Sequence, residues 1–139
     1  MATSDIEIIY RQIKNKIVKI IPEPWGKIFV YAEVENKSTG LSFFYQPINI
    51  KNQYVYFTEI HHKFNTSVGQ ENDTLIEIYK ILNRLKERCR VDSISWTNVT
   101  LIFDKDKNIQ VEFGHDDNSK FTFEERKQNW ENIYICLNE

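Results

Sequence analysis

Glycine and proline are scarce in this chain: four Gly and three Pro among 139 residues. So few chain breakers exclude collagen-like and linker-rich sequences and leave little room for disorder away from the ends. Gly26, Gly40, Gly69 and Gly114 lie far apart. Neither a phosphate-cradling loop nor a dinucleotide fingerprint can be built from them. Cysteine is equally sparse: Cys89 and Cys136 stand in no ligand-like spacing, and no CxxC is present. Zinc-ribbon and thioredoxin-type chemistry are thereby excluded, and two free thiols fit a reducing compartment. No apolar run approaches the ~20 residues of a membrane span. The opening "MATSDIEIIYRQ" lacks the charged-then-apolar pattern of a signal peptide. The expectation is a cytoplasmic protein without a membrane partner.

An excess of one charge is missing too. Eighteen Lys and Arg stand against 20 Asp and Glu, for a net charge of −2. That balance gives no basic stripe able to displace counterions from phosphates, so direct nucleic-acid binding is not expected. Two basic runs, Lys14, Lys16 and Lys19, and then Arg84, Lys86, Arg88 and Arg90, fall inside amphipathic helical patterns and read as solvated faces. The Gly-x-Ser-x-Gly nucleophile motif is absent. Cys89 lies on an apolar helical stripe, the place of a structural thiol. No cofactor is expected.

Aromatic residues are plentiful: nine Phe, seven Tyr and three Trp, within a hydrophobic fraction of 41%. A chain of this length predicts one domain spanning residues 1–139. Ser4 and Glu7 have capping-box spacing, and Ile6, Ile9, Tyr10, Ile13, Ile17, Ile20 and Ile21 recur at helical steps. Pro22 and Pro24 end that helix. Three strands are expected next, over Lys27–Glu35, Leu41–Gln46 and Gln53–Ile60, the first two joined by a polar hairpin turn. A second helix follows over Gln70–Arg90, with Ser67 as a candidate cap. Its stripe is Leu75, Ile78, Tyr79, Leu82, Leu85 and Cys89. Strands Ser95–Asp104 and Asn108–Gly114 come next. A last helix begins at a second capping box, Thr122 with Glu125, and its expected buried residues are Trp130, Ile133, Tyr134 and Leu137. The fold class is α+β in the order α-β-β-β-α-β-β-α. About five antiparallel strands carry helices packed mainly on one face.

One stretch concentrates chemistry. "FGHDDNSKFTFEERKQNW", residues 113–130, holds His115, Asp116, Asp117, Glu124 and Glu125. A metal-dependent hydrolase would need these groups to converge, His115 and Asp116 joining a spatially close His61 or His62. Adjacent histidines on a strand point to opposite faces, which argues against joint chelation. The simpler account is a turn entering a capped helix, where Glu124 and Glu125 favour the positive end of the helix dipole by ~0.3–1 kcal/mol each. Two further possibilities stay open. An exposed Trp96 would be a natural anchor for a protein partner, and a deep pocket lined by Tyr31, Tyr54 and Tyr56 would suit a small molecule or peptide.

Four segments carry a resemblance. They are "IYRQIKNKIVKIIPEPWGKIFVYAEV" (9–34), "LSFFYQP" (41–47), "WTNVTLIFDKDKNIQVEF" (96–113) and "ERKQNW" (125–130). In this order they resemble the YezG/EsaG-type immunity proteins of Gram-positive bacteria: a helix, Ile-Pro-x-x-Trp, a strand ending near Tyr-x-x-Val, a Trp-Thr-Asn run with a hairpin, and a late Glu-Arg-x-x-x-Trp run. The chain departs from that pattern at Ser95, where proline is expected, at Gly114-His115, where an aromatic-acidic pair is expected, and at His61-His62. The resemblance implies a cytosolic antitoxin without catalysis. Its partner would be a cognate LXG-type toxin exported by type VII secretion, often a nuclease. An acidic surface suits the basic cleft of such a partner. The expected contact residues are then Asp116, Asp117, Glu124 and Glu125, with Trp96 or Trp130 nearby.

Overall fold

The computed structural model describes residues 5–35, 38–50, 52–64, 68–106, 108–115 and 120–135. The elements in chain order are α1 (Asp5–Ile20), β1 (Trp25–Glu35), β2 (Ser38–Pro47), β3 (Val55–Tyr56), α2 (Ile60–Phe64), α3 (Val68–Val91), β4 (Asn98–Asp104), β5 (Gln110–Gly114) and α4 (Phe123–Tyr134). A 3-10 turn, Phe57–Glu59, joins β3 to α2. The strands form one antiparallel sheet in the order β3-β2-β1-β4-β5. The α+β class and the five antiparallel strands agree with the sequence pattern.

The central strand β1 has both faces covered, because its alternation divides between two clusters. Ile28, Val30, Ala32 and Val34 point to one side, with Leu41, Phe43 and Tyr45 of β2 and Val99, Leu101 and Phe103 of β4. α1 contributes Ile13, Ile17 and Ile20 there, and α3 contributes Ile78, Leu82, Leu85 and Cys89. Cys89 is a buried structural thiol. Asp5 pairs with Arg88, Gln12 with Arg84 and Lys16 with Glu77, so α1 and α3 run antiparallel. Just past the end of α3, Ser93 turns the chain back with a φ of 63°. There Ile94 N–H donates to the Cys89 carbonyl at 2.7 Å, the closing bond of a Schellman cap.

The opposite face carries Phe29 and Tyr31, packed with Trp130 and Ile135 and flanked by Phe44, Ile102, Phe123 and Tyr134. Thus α1 and α3 cover one face, and α4 crosses to the other. The inward positions of α4 are Phe123, Arg126, Lys127, Trp130 and Tyr134. Ile133, expected inside, is 58% exposed because the next residue, Tyr134, takes the sheet-facing position. Ser4, Ser67, Asp116, Asp117, Cys136 and Leu137 lie outside the described residues.

The third strand is far shorter than the expected Gln53–Ile60. Only Val55 and Tyr56 pair with β2, opposite Tyr45 and Phe44. The chain then turns helical, since Phe57 stacks on Phe43 with ring centroids 5.1 Å apart and Ile60 is buried in the main core. A helical turn brings both to the same core; strand alternation would have placed them on opposite faces. His61 and His62 therefore sit on α2 rather than on a strand, with ring centroids 4.0 Å apart.

Candidate functional site

On the face beneath α4, β1 presents Glu33, whose exposure is only 6%. A lone buried carboxylate would be costly. It is met by Arg126 of α4, whose Nε and Nη2 donate to Oε2 and Oε1 at 2.6 and 2.7 Å. This two-pronged geometry matches the guanidinium fork to the carboxylate. The Tyr31 hydroxyl donates to the same carboxylate, and the Arg126 guanidinium also reaches the Phe121 carbonyl. Burial, reinforced by the Glu33 bond, pushes the Tyr31 hydroxyl well above the usual tyrosine range. The Glu33 hydrogen bond likewise raises Arg126, outweighing its partial burial.

Three more bonds fasten α4 to the sheet. Trp130 Nε1 donates to Thr100 Oγ1 at 3.0 Å, while its ring packs against Tyr31, Phe44 and Tyr134. The Tyr134 hydroxyl donates to Glu112 of β5. Lys127 Nζ donates to the Tyr56 hydroxyl at 2.8 Å and lies 4.5 Å from that ring's centre. Burial lowers the Lys127 pKa, but the Tyr56 bond and the carboxylates of Glu131 and Glu124 carry it above its ordinary value. Small residues make room for these contacts. Across the ladder from Glu33 stands Gly40, where an added Cβ would meet Phe123 Cε1 at 2.5 Å. Ser42 and Thr100 flank Tyr31 on β2 and β4.

Between α4 and strands β4 and β5 remains a cavity of about 500 Å³, lined in part by Thr100, Glu112, Gly114, Lys120 and Asn129. Phe121 and Ile133 stand at its wall, 50% and 58% exposed. Its most basic group, Arg126, is already committed to Glu33. The cavity offers apolar surface and a few polar groups, which suits binding.

The residues singled out from the sequence separate here. Glu125 completes the expected capping box: Thr122 N–H donates to Glu125 Oε1 at 3.1 Å, and Glu125 N–H to Thr122 Oγ1 at 3.2 Å. Glu124 is exposed and pairs with Lys127 at 3.4 Å. His115 is exposed at the end of β5. Trp96 is 0% exposed, stacked on Phe113 and covered by Lys86 Nζ 4.6 Å from its ring centre. Trp130 is 5% exposed. Neither indole can anchor a partner from the surface, which corrects that expectation. Burial between layers has consumed the area that an anchor would offer.

The proposed metal constellation does not assemble either. His61 and His62 follow β3, whereas His115 follows β5, and these strands are the two outer edges of the sheet. Four strand spacings separate them, about 19 Å in all. His61 instead has Glu71 as its neighbour, at 3.9 Å. Among the described residues, no group of three or more His, Cys, Asp or Glu is placed to hold a metal ion. The aromatic pocket is closed as well. Tyr31 is buried under α4, Tyr54 stands edge-on to Phe29 and Tyr56 is taken by Lys127.

The Glu33–Arg126 pair was missed from sequence because its partners are 93 residues apart. The available signal was a carboxylate among the apolar residues of β1, and nothing local names its counterpart. No helix among the described residues is long and apolar enough to cross a membrane.

Comparison with known proteins places the chain among its relatives. The immunity protein YezG of Bacillus spizizenii is 30% identical over 133 residues, covering 94% of this chain and 82% of that protein. YezG of Bacillus subtilis is 33% identical over 111 residues, 78% and 72% of the two chains. The type VII secretion system protein EsaG of Staphylococcus aureus is 26% identical over 116 residues, 81% and 71% of the two. A family model described as "Immunity protein YezG-like" matches residues 6–138, from the first turn of α1 to beyond α4. With that match running through every element that builds the sheet and its α4 cover, the chain belongs to the YezG-like family of immunity proteins, which are non-enzymatic and imply a cognate toxin as partner.

Proposed function

We propose that this protein works in the cytoplasm as one domain over residues 1–139, where it binds a cognate secreted toxin with nuclease activity and masks its functional surface. The observation that carries this reading is the charge of the C-terminal part. Residues 110–139 hold seven carboxylates, Glu112, Asp116, Asp117, Glu124, Glu125, Glu131 and Glu139, against Lys120, Arg126 and Lys127. A nuclease must hold a polyanion, so its cleft is basic, and an acidic surface both speeds the encounter and opposes wrong partners. Asp116, Asp117, Glu124 and Glu125 are the proposed contact residues. Trp96 and Trp130 drop out because they are buried.

The test is co-expression with candidate secreted toxins that carry nuclease domains, scored for survival, for intact cellular DNA and RNA, and for co-purification. Rescue with a stable complex is expected. Substituting Asp116→Lys together with Asp117→Lys should weaken the complex and steepen its loss with salt while leaving thermal unfolding nearly unchanged. Unaltered affinity removes these aspartates from the interface. Toxicity without nucleic-acid damage refutes the nuclease assignment.

A further inference from the structure

Among the described residues, β5 is an outer strand, paired only with β4. Which of its backbone groups are free follows from the ladder. Val34 N–H donates to the Thr97 carbonyl at 3.3 Å, in register with the β1–β4 pairing. Hydrogen-bonded pairs alternate along antiparallel strands. Asn98, Thr100 and Ile102 therefore turn their backbone groups away from β1 and toward β5, onto Gly114, Glu112 and Gln110. The amides and carbonyls of Val111 and Phe113 consequently point outward from the sheet. Two donors and two acceptors are set there at strand spacing, next to the cavity under α4.

The two edges of the sheet differ in this respect. At the far edge, β3 is only two residues long before the chain coils into the 3-10 turn and α2. β5 offers five residues. Beside it lie Phe121 and Ile133, two of the large apolar side chains left exposed. Glu112 lies on the α4 side of this strand and accepts from Tyr134, so its charge stands between the strand edge and the helix.

We propose that the free edge of β5 receives an extended segment of the toxin as a sixth strand, with Lys or Arg opposite Glu112 and apolar side chains laid against Phe121 and Ile133. This rests on the immunity reading above and names the part of the surface that engages first. Main-chain bonds to Val111 and Phe113 would supply affinity, and alternate side chains on the α4 side would supply selectivity. The charge on the strand argues for this occupant over a second copy of the chain. Antiparallel pairing of two β5 strands centred on Glu112 would set that carboxylate against its own equivalent, and directly opposed like charges are destabilising.

The experiment uses the full chain and the domain of the toxin that co-expression identifies as its partner. Val111→Pro removes an outward N–H and places a pyrrolidine ring on the edge, while the β4-facing groups of Gln110, Glu112 and Gly114 keep their bonds. The expected result is about 100-fold weaker binding, the equivalent of two to three backbone hydrogen bonds, with thermal unfolding close to that of the unsubstituted protein. Amide exchange on the unsubstituted protein gives a second readout that does not depend on the variant folding. Val111 and Phe113 should exchange quickly in the free protein and become protected in the complex. A complex in which those two amides stay unprotected, or V111P binding at full strength, overturns the edge assignment and leaves the immunity reading standing. Protection that rises with protein concentration in the absence of toxin identifies a second copy as the occupant and also overturns it. No binding by the unsubstituted protein removes both readings.

Discussion

Replacing Arg126 with alanine deletes both guanidinium bonds to Glu33 and strands that carboxylate under α4 with the Tyr31 hydroxyl as its remaining donor. The side chains of the pair are 17% and 8% exposed, so solvent cannot take over the lost role. Removing one member of a buried pair costs about 3–5 kcal/mol, because the survivor keeps its desolvation cost without its partner. Against a total stability of about 5–15 kcal/mol, that leaves a marginal protein. For a chain of this size it corresponds to a fall in Tm of roughly 10–20 °C. The informative comparison is Arg126→Met combined with Glu33→Leu and Tyr31→Phe, which replaces the whole network by apolar groups of similar volume. Such replacements are often neutral or stabilising. Most of the loss should therefore return in the triple variant. Urea unfolding followed by circular dichroism and tryptophan fluorescence measures both, with the denaturant slope checked for constancy. A penalty below about 1 kcal/mol for R126A, the value of an exposed pair, refutes the claim that this contact holds α4 in place. A triple variant as unstable as the single refutes the desolvation argument.

Other perturbations test neighbouring parts of the same assembly. Gly40→Ala places a methyl 2.5 Å from Phe123 Cε1. It should cost roughly 1–3 kcal/mol by overpacking, and Phe123→Leu in the same chain should restore part of this in thermal unfolding. Thr122→Ala removes the oxygen that accepts from Glu125 N–H, for an expected loss of about 1 kcal/mol in urea unfolding; no change would mean the capping box is dispensable. Burial first, and then the nearby Cys89, pushes the Tyr10 hydroxyl up to about 12 from 10.0. A proton held more tightly in the folded state makes this contribution complete below pH 10 and progressively lost toward pH 12. Tyr31 and Tyr45 are raised in the same sense. Urea midpoints should fall across that window, and Tyr10→Phe should make the fall shallower; a midpoint flat with pH would refute the burial argument.

Much of this molecule was legible one segment at a time. The isoleucine stripe of α1, the stop at Pro22 and Pro24, the stripe of α3 through Cys89, and the Thr122–Glu125 box are signals written within a few residues, and the chain folds as they indicate. Helical spacing and strand alternation act over one or two turns, so composition and periodicity suffice. The ordered segments also carried the family resemblance, because that order needs no knowledge of contacts.

The third dimension decided the rest. The placement of α4 across the sheet depends on Gly40 and Thr100, which strand register alone brings beneath Phe123 and Trp130, and on Ser42 beside Tyr31. Two of its inward positions are Arg126 and Lys127, so apolar periodicity understated that face and put Ile133 inside. Phe57 and Ile60 were drawn into a helical turn by the main core, which cut β3 to two residues and carried His61 and His62 off the strand. Trp96 and Trp130 lost their surface to packing between layers. Outside the segment that follows β3, the amino-acid order by itself determined which segments become helix or strand, and it determined to which family they belong. Tertiary structure alone decided which charges are committed to the fold and which strands stand at the edges of the sheet, because a buried ion pair spanning 93 residues has no local signature.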